Sequence, residues 1–152
     1  MSAYNSHFTG NTEMEMAWAA GFVDGEGCIC IARQTYKDRP NVSHRLKLTV
    51  TQNNYEVLSE LQGIIGEPSF ISMLTRTEKM NRNSYALVYD SKHALSAIRK
   101  LKPFLRRKQF EADAAEKMWE EGMMGKRPGM KGWPPEVYQT REKWARKITR
   151  LK

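Results

Sequence analysis

The stretch Ala19-Ala20-Gly21-Phe22-Val23-Asp24-Gly25-Glu26-Gly27 constrains the fold of this chain more than any other. Upstream of it, Thr12 followed by Glu15 makes an S/T-x-x-E capping box, which opens a helix at about residue 13. The helix is expected to run through Met16, Trp18 and Phe22 to about Asp24, where Gly25 and Gly27 end it. Ala17, Ala20 and Gly21 lie on it at helix-neighbour spacing, so a second backbone can approach closely. Glu26 then stands between two glycines just past the helix end.

Beyond this helix the chain alternates with period two. Residues 28–37 read as a strand in which Ile29 and Ile31, with Arg33 a candidate third, alternate with Cys30, Ala32, Gln34 and Tyr36. After the turn at Arg39-Pro40-Asn41, a strand over about 43–52 alternates Leu46, Leu48 and Val50 with Arg45, Lys47, Thr49 and Thr51. Asn53 or Asn54 can cap a helix over 55–65, which Gly66 and Pro68 break. Strands over 69–76 and 83–89 form a second hairpin, and Ser91 is expected to cap a helix over 92–101. Pro103 breaks the chain before a helix over about 105–120. A Gly- and Pro-rich linker spans 122–135, and Pro135 can sit in the first turn of a last basic helix, 136–150. Two hairpins in one sheet with helices on one face is an α+β fold. The reading divides the chain into a domain over 1–121 and a basic linker plus C-terminal helix over 122–152.

With 152 residues the chain holds one core and is short for two, so a large site is expected to need a second copy. No apolar run reaches membrane-spanning length, so no membrane partner is expected. The start MSAYNSHFTGN lacks a basic n-region and an apolar core. Two cysteines exclude a disulfide scaffold, and together these features point to an intracellular protein. Net charge is +8, which favours a polyanion as partner. Residues 1–121 carry a net of only +1, and residues 122–152 carry +7.

The segment Gly21 to Glu26-Gly27 reads GFVDGEG and resembles the signature of the LAGLIDADG homing endonucleases, with Ala19 where that family usually has Leu. The element order after it also fits, so the resemblance covers about 12–120, and only one copy of the motif is present. The resemblance implies a homodimer. Two motif helices would pack side by side through Ala17, Ala20 and Gly21, with Asp24 as a helix-end or interface residue. Each helix would deliver Glu26, with the carbonyl of Gly25 beside it, to the two-fold axis. Both are hard oxygen ligands suited to Mg²⁺ or another divalent cation. Gln52 aligns with a polar residue that the family uses to hold the hydrolytic water. Leu101-Lys102-Pro103-Phe104-Leu105-Arg106-Arg107-Lys108-Gln109 resembles the segment with the family's active-site lysine, which by alignment is Lys108, with Arg106 as competitor. A basic residue that part of the family carries near 56 is absent, since Tyr55 and Glu56 stand there.

The resemblance thus implies the LAGLIDADG fold, αββαββα, with a four-stranded antiparallel sheet that reads double-stranded DNA. The polar sheet face suits the major groove, where Arg, Lys and Gln distinguish base pairs. Gln34, Tyr36, Arg45, Lys47 and Thr49 are the expected readers, with Arg76 and Arg82 as further candidates. A strand of about nine residues spans ~30 Å, so a half-site is about nine base pairs and a dimer reads about twenty. The tail is expected either to contact phosphates or to pack back on the domain, with phosphate contact favoured. The implied function is site-specific, metal-dependent cleavage of both strands of a near-palindromic site. The rivals are an intron maturase that binds RNA and a regulator that binds DNA without cutting it.

Overall fold

The computed structural model describes residues 12–74 and 83–152. Helix α1 (Thr12–Glu26) leads into strands β1 (Gly27–Tyr36) and β2 (Arg39–Gln52). Helix α2 (Tyr55–Ile65) precedes strands β3 (Phe70–Leu74) and β4 (Ser84–Asp90). Helix α3 (Lys92–Leu101), a 3-10 turn over Lys102–Phe104, helix α4 (Gln109–Glu121) and helix α5 (Pro135–Arg150) complete the chain. The four strands form one antiparallel sheet in the order β1-β2-β4-β3.

Register fixes the two faces of the sheet. Ile29 opposes Leu48 and Ile31 opposes Leu46, so these side chains share the face on which the helices pack. Leu48 opposes Tyr89 and Val50 opposes Leu87, which extends that face across the sheet. Ile29, Leu48, Val50, Leu87 and Tyr89 are fully buried, against Ala19, Ala20 and Val23 of α1 and Leu58 and Leu61 of α2. Arg33 belongs to the helix side too, opposite the buried His44. On the other face Cys28 opposes Thr49, Cys30 opposes Lys47, Ala32 opposes Arg45 and Gln34 opposes Ser43.

Several local expectations shift. Helix α1 continues to Glu26 rather than stopping near Asp24. Gly27 is the residue that the fold demands there, because a Cβ at that position would lie 2.8 Å from the Val23 carbonyl oxygen. Asn54, not Asn53, caps α2: its Oδ1 accepts from the Val57 amide at 3.2 Å. Ser91 precedes α3 without a side-chain capping bond and with φ of 56°, while its amide donates to the Leu46 carbonyl instead. A tertiary bond there replaces the local one. The helix expected from 105 begins only at Gln109, because residues 105–108 are held against α1. The face of β3 is now assigned: Ile71 opposes buried Leu87, so Phe70 and Ser72 share the outer face with Val88 and Ala86. The polar outer surface is therefore concentrated on β1 and β2, and the β4–β3 half is more apolar. Arg76, Arg82 and the hairpin between the third and fourth strands lie outside the described residues.

The tail is not a separate unit. Trp144, Ala145 and Ile148 of α5 are buried, and Trp144 and Ile148 join the same core as Met118 and Met124. Arg141, also buried, donates from Nε to the Gly122 carbonyl at 2.6 Å, which closes the loop over 122–134 onto the start of that segment. Glu142 accepts three bonds from Arg33, at 2.7, 3.0 and 3.3 Å, and pins α5 to β1.

Candidate active site and nucleic-acid face

The C-terminal end of α1 carries Glu26 and receives Lys108, two of the three predicted catalytic groups. An α-helix leaves its last carbonyls without intrahelical donors. Helix α1 has no basic residue of its own in the last turn to meet them. Donors arrive from the segment before α4. Lys108 Nζ donates to the Asp24 carbonyl at 2.8 Å, and Arg107 reaches the same oxygen at 3.3 Å. Cations at a helix C-terminus also meet the negative end of its dipole.

The Asp24 side chain completes this arrangement. Its Oδ2 accepts from the Arg106 amide at 2.7 Å and its Oδ1 from the Lys108 amide at 2.9 Å. Asp24 is thus a clamp that holds the lysine segment against the motif helix. Charged acceptors on backbone amides make the stronger class of hydrogen bond. The two candidates differ in placement: the Lys108 side chain is buried at the α1 end, while Arg106 is exposed and held by its amide.

Glu26 is the last residue of α1 and exposed, and Gly25 beside it is exposed as well. A carboxylate and an adjacent carbonyl at an open helix end are a chemically suitable hard-oxygen pair for a divalent cation. Among the described residues no group of three or more His, Cys, Asp or Glu side chains could hold a metal ion. The pair from one chain therefore needs further ligands from substrate phosphate, water or a second copy. Gln52 ends β2 opposite Tyr85, just beyond the Val50 position that pairs with Gly27. It is half-buried, and its place in the alternation puts it on the helix side of the sheet.

The exposed side of α1 is bare. Met14 is 72% exposed and Trp18 40%, and Ala17, Gly21 and Gly25 continue the same stripe. A Cβ built on Gly21 or Gly25 would meet nothing within 4 Å, so neither glycine is required by the packing of this chain. Ala20 does not belong to that stripe. It is fully buried in the chain's own core, one helical step away from Gly21. Asp24, turned to the Arg106 and Lys108 amides, is likewise occupied within the chain.

Sequence reasoning missed two groups here. A cavity of about 160 Å³ is lined by Gly25, Gly27, Cys28, Arg107, Lys108, Glu111 and Lys152. Glu111 is buried, and its Oε2 has no hydrogen-bond partner. Burial raises its carboxyl pKa, and Lys108, Lys152 and Arg107 act against that rise. Its place one helical turn after Lys108 was legible; its burial was not. Lys152 Nζ lies 3.1 Å from Cys28 Sγ, a contact between residues at opposite ends of the chain that no local pattern signals.

On the outer face of the sheet, Gln34 and Tyr36 are exposed, with an irregularity in register between them. Lys47 and Thr49 are half-buried between neighbours on β1 and β4. Arg45 is exposed and forms an ion pair with Asp90 of β4. That pair orients its guanidinium while leaving other donors available.

The pattern of the LAGLIDADG endonuclease family matches residues 19–113, and the chain belongs to this family. It is 33% identical over 82 residues to the intron-encoded DNA endonuclease ai2b of Dictyostelium discoideum; the match spans 54% of this chain and only 29% of that relative. Its fold is similar to the homing endonuclease I-CvuI in complex with its target, at a TM-score of 0.75 and 24% identity, over 93% of this chain and 84% of the other. It is also similar to the archaeal intron-encoded homing endonuclease I-Vdi141I complexed with DNA, at 0.73 and 16%, over 92% and 85%. Against I-GzeII in complex with its DNA target the TM-score is 0.61 at 17% identity, over 88% of this chain but 43% of that one.

Proposed function

We propose that two copies of this chain form a site-specific, divalent-metal-dependent endonuclease that cuts both strands of a near-palindromic DNA site of about twenty base pairs. The observation that carries the reading is the end of α1. A bare stripe of small residues runs down to Glu26, and Asp24 holds Lys108 at the same end. Two such stripes packed together would bring two copies of this group of residues to one axis. The solved relatives differ in length: this chain covers 84% of the I-CvuI chain but only 43% of the I-GzeII chain, as half of a two-part enzyme would.

In this reading Glu26 and the Gly25 carbonyl hold a divalent cation; I-CvuI has been seen with its target in the presence of calcium, and with the I-CreI target, uncleaved, in the presence of magnesium. When bound, such an ion neutralises charge on the phosphate and lowers the pKa of attacking water. Lys108 offsets the charge that builds on the pentacoordinate phosphate. Gln52 orients the water by accepting and donating hydrogen bonds. Gln34, Tyr36, Arg45, Lys47 and Thr49 read base edges from the outer face of β1 and β2.

Selection of cleaved duplexes from a random double-stranded library, with Mg²⁺ and with Glu26→Gln as control, tests the reading. Discrete cleaved sites that the control leaves intact support it. No cleaved site with any divalent ion, or undiminished cleavage by the control, overturns it.

A further inference from the structure

Helix α5 is attached to β1 at two points. Glu142 binds Arg33 near the far end of the strand, and Lys152, just past the helix, contacts Cys28 at its start. The span from Glu142 to Lys152 is ~15 Å at ~1.5 Å per helical residue. The span from Arg33 back to Cys28 is ~17 Å at ~3.3 Å per strand residue. The matched lengths mean that a helix anchored at Glu142 delivers the chain at 152 to the junction between α1 and β1. That junction is formed by Gly25 and Glu26 at the end of α1 and Gly27 at the start of β1.

There Lys152 lines the same cavity as Gly25, Lys108 and Glu111. Its partner Cys28 is opposite Thr49, on the outer, DNA-facing side of the sheet. A thiol is a weak acceptor, and an ammonium has three donors. A phosphate oxygen is a far better partner for the same group. Glu111, buried in the same cavity with Lys108, Lys152 and Arg107 about it, is the acidic side chain that these cations share before DNA arrives.

We propose that Lys152 is a second phosphate-binding lysine of the cleavage centre, carried there by the C-terminal helix and placed beside Lys108. The inference rests on the endonuclease reading above and adds to it a residue outside the region that the family pattern covers. The basic tail then has a local task as well as a field: one of its lysines contacts a phosphate at or next to the cut.

The test uses the full chain as wild type, Lys152→Arg and Lys152→Gln, with a duplex selected from the random library. Affinity is measured against salt with Ca²⁺, single-turnover cleavage with Mg²⁺, and Tm without DNA. A short amine-to-thiol cross-linker is applied to the free and DNA-bound wild type. Lys152→Gln is expected to slow cleavage ~10-fold or more and, with one Lys152 in each of two copies on the duplex, to lower the slope of log affinity against log salt by about two. Lys152→Arg keeps most of both, and all Tm values agree. The cross-link between Lys152 and Cys28 forms in the free protein and is suppressed by DNA. A wild type that cleaves while Lys152→Gln matches it in rate and salt slope overturns this inference alone. A fall in Tm in Lys152→Gln, or equal losses in both variants, assigns Lys152 to packing and also overturns it. A wild type that neither binds nor cleaves any selected duplex overturns both readings.

Discussion

Helices α1 and α5 end at the same cavity, yet they place their apolar side chains in opposite ways: α5 gathers them on one face, and α1 spreads them around the helix. Helix α5 lays Val137, Trp144, Ala145 and Ile148 on the chain's own core and leaves Lys143, Arg146 and Lys147 outside. Helix α1 buries only Ala19, Ala20 and Val23 and leaves Met14, Ala17, Trp18, Gly21 and Gly25 uncovered. An apolar stripe that one chain covers adds to that chain's stability. A stripe that it leaves open adds to association. The contrast separates two residues that the sequence presented as equivalents, Ala20, which belongs to the fold, and Gly21, which belongs to the open surface.

The sharpest way to break this contrast is at the tip of α1. Glu26→Gln is expected to reduce single-turnover cleavage ~10³-fold or more, since loss of a metal-bound oxygen removes several kcal/mol of transition-state stabilisation. DNA affinity measured with Ca²⁺ should change far less, and full cleavage by the variant would detach the chemistry from this helix end.

Gly21→Arg addresses the stripe itself. The monomer has room for the side chain, so its Tm should hold. Dimerisation followed by analytical ultracentrifugation should weaken ~100-fold or more, because an unpaired charge would be buried between two helices. An unchanged dimer would place the interface elsewhere.

Trp144→Ala makes the complementary cut in α5. Truncating a buried Trp costs ~3–5 kcal/mol. Urea unfolding should therefore lose about that much in one cooperative transition. Two separate transitions would show α5 to be an appendage rather than part of the core.

The smallest effect is acid sensitivity at the α5–β1 contact. Arg33 holds the Glu142 carboxyl at about 2, below its ordinary 4.5. Burial lowers His44, its other neighbour, below the ordinary 6.5, against the pull of Glu142. Both groups have depressed folded-state values, so both contribute stability at neutral pH. The His44 contribution fades as pH falls below about 6.5. That of Glu142 fades between about 4.5 and 2. With Arg33 well exposed, the Glu142 part should be about 1 kcal/mol. Thermal melts of wild type and Glu142→Gln should converge as pH falls toward 2, and parallel curves over pH 2–7 would contradict the ion pair.

Much of this was legible in one dimension. Period-two alternation identified β1 and β2 and the side of each residue, because a strand has only two faces and a single slip would expose every Leu and Val. The GFVDGEG segment identified the end of α1, and the run Leu101–Gln109 identified the segment that meets it. The β3–β4 half was harder to read, since an apolar strand such as Phe70–Leu74 has no alternation to betray its face.

The sequence alone determined the helix and strand order, the family and the residue types at the site, because these depend on local periodicity and on a contiguous motif. Only the tertiary structure decided that Asp24 clamps the Arg106 and Lys108 amides, that Glu111 is buried beneath them and that Lys152 returns to Cys28. Those contacts join residues far apart in the chain. Their geometry follows from how a helix and a strand of matched length lie side by side, which no local pattern encodes.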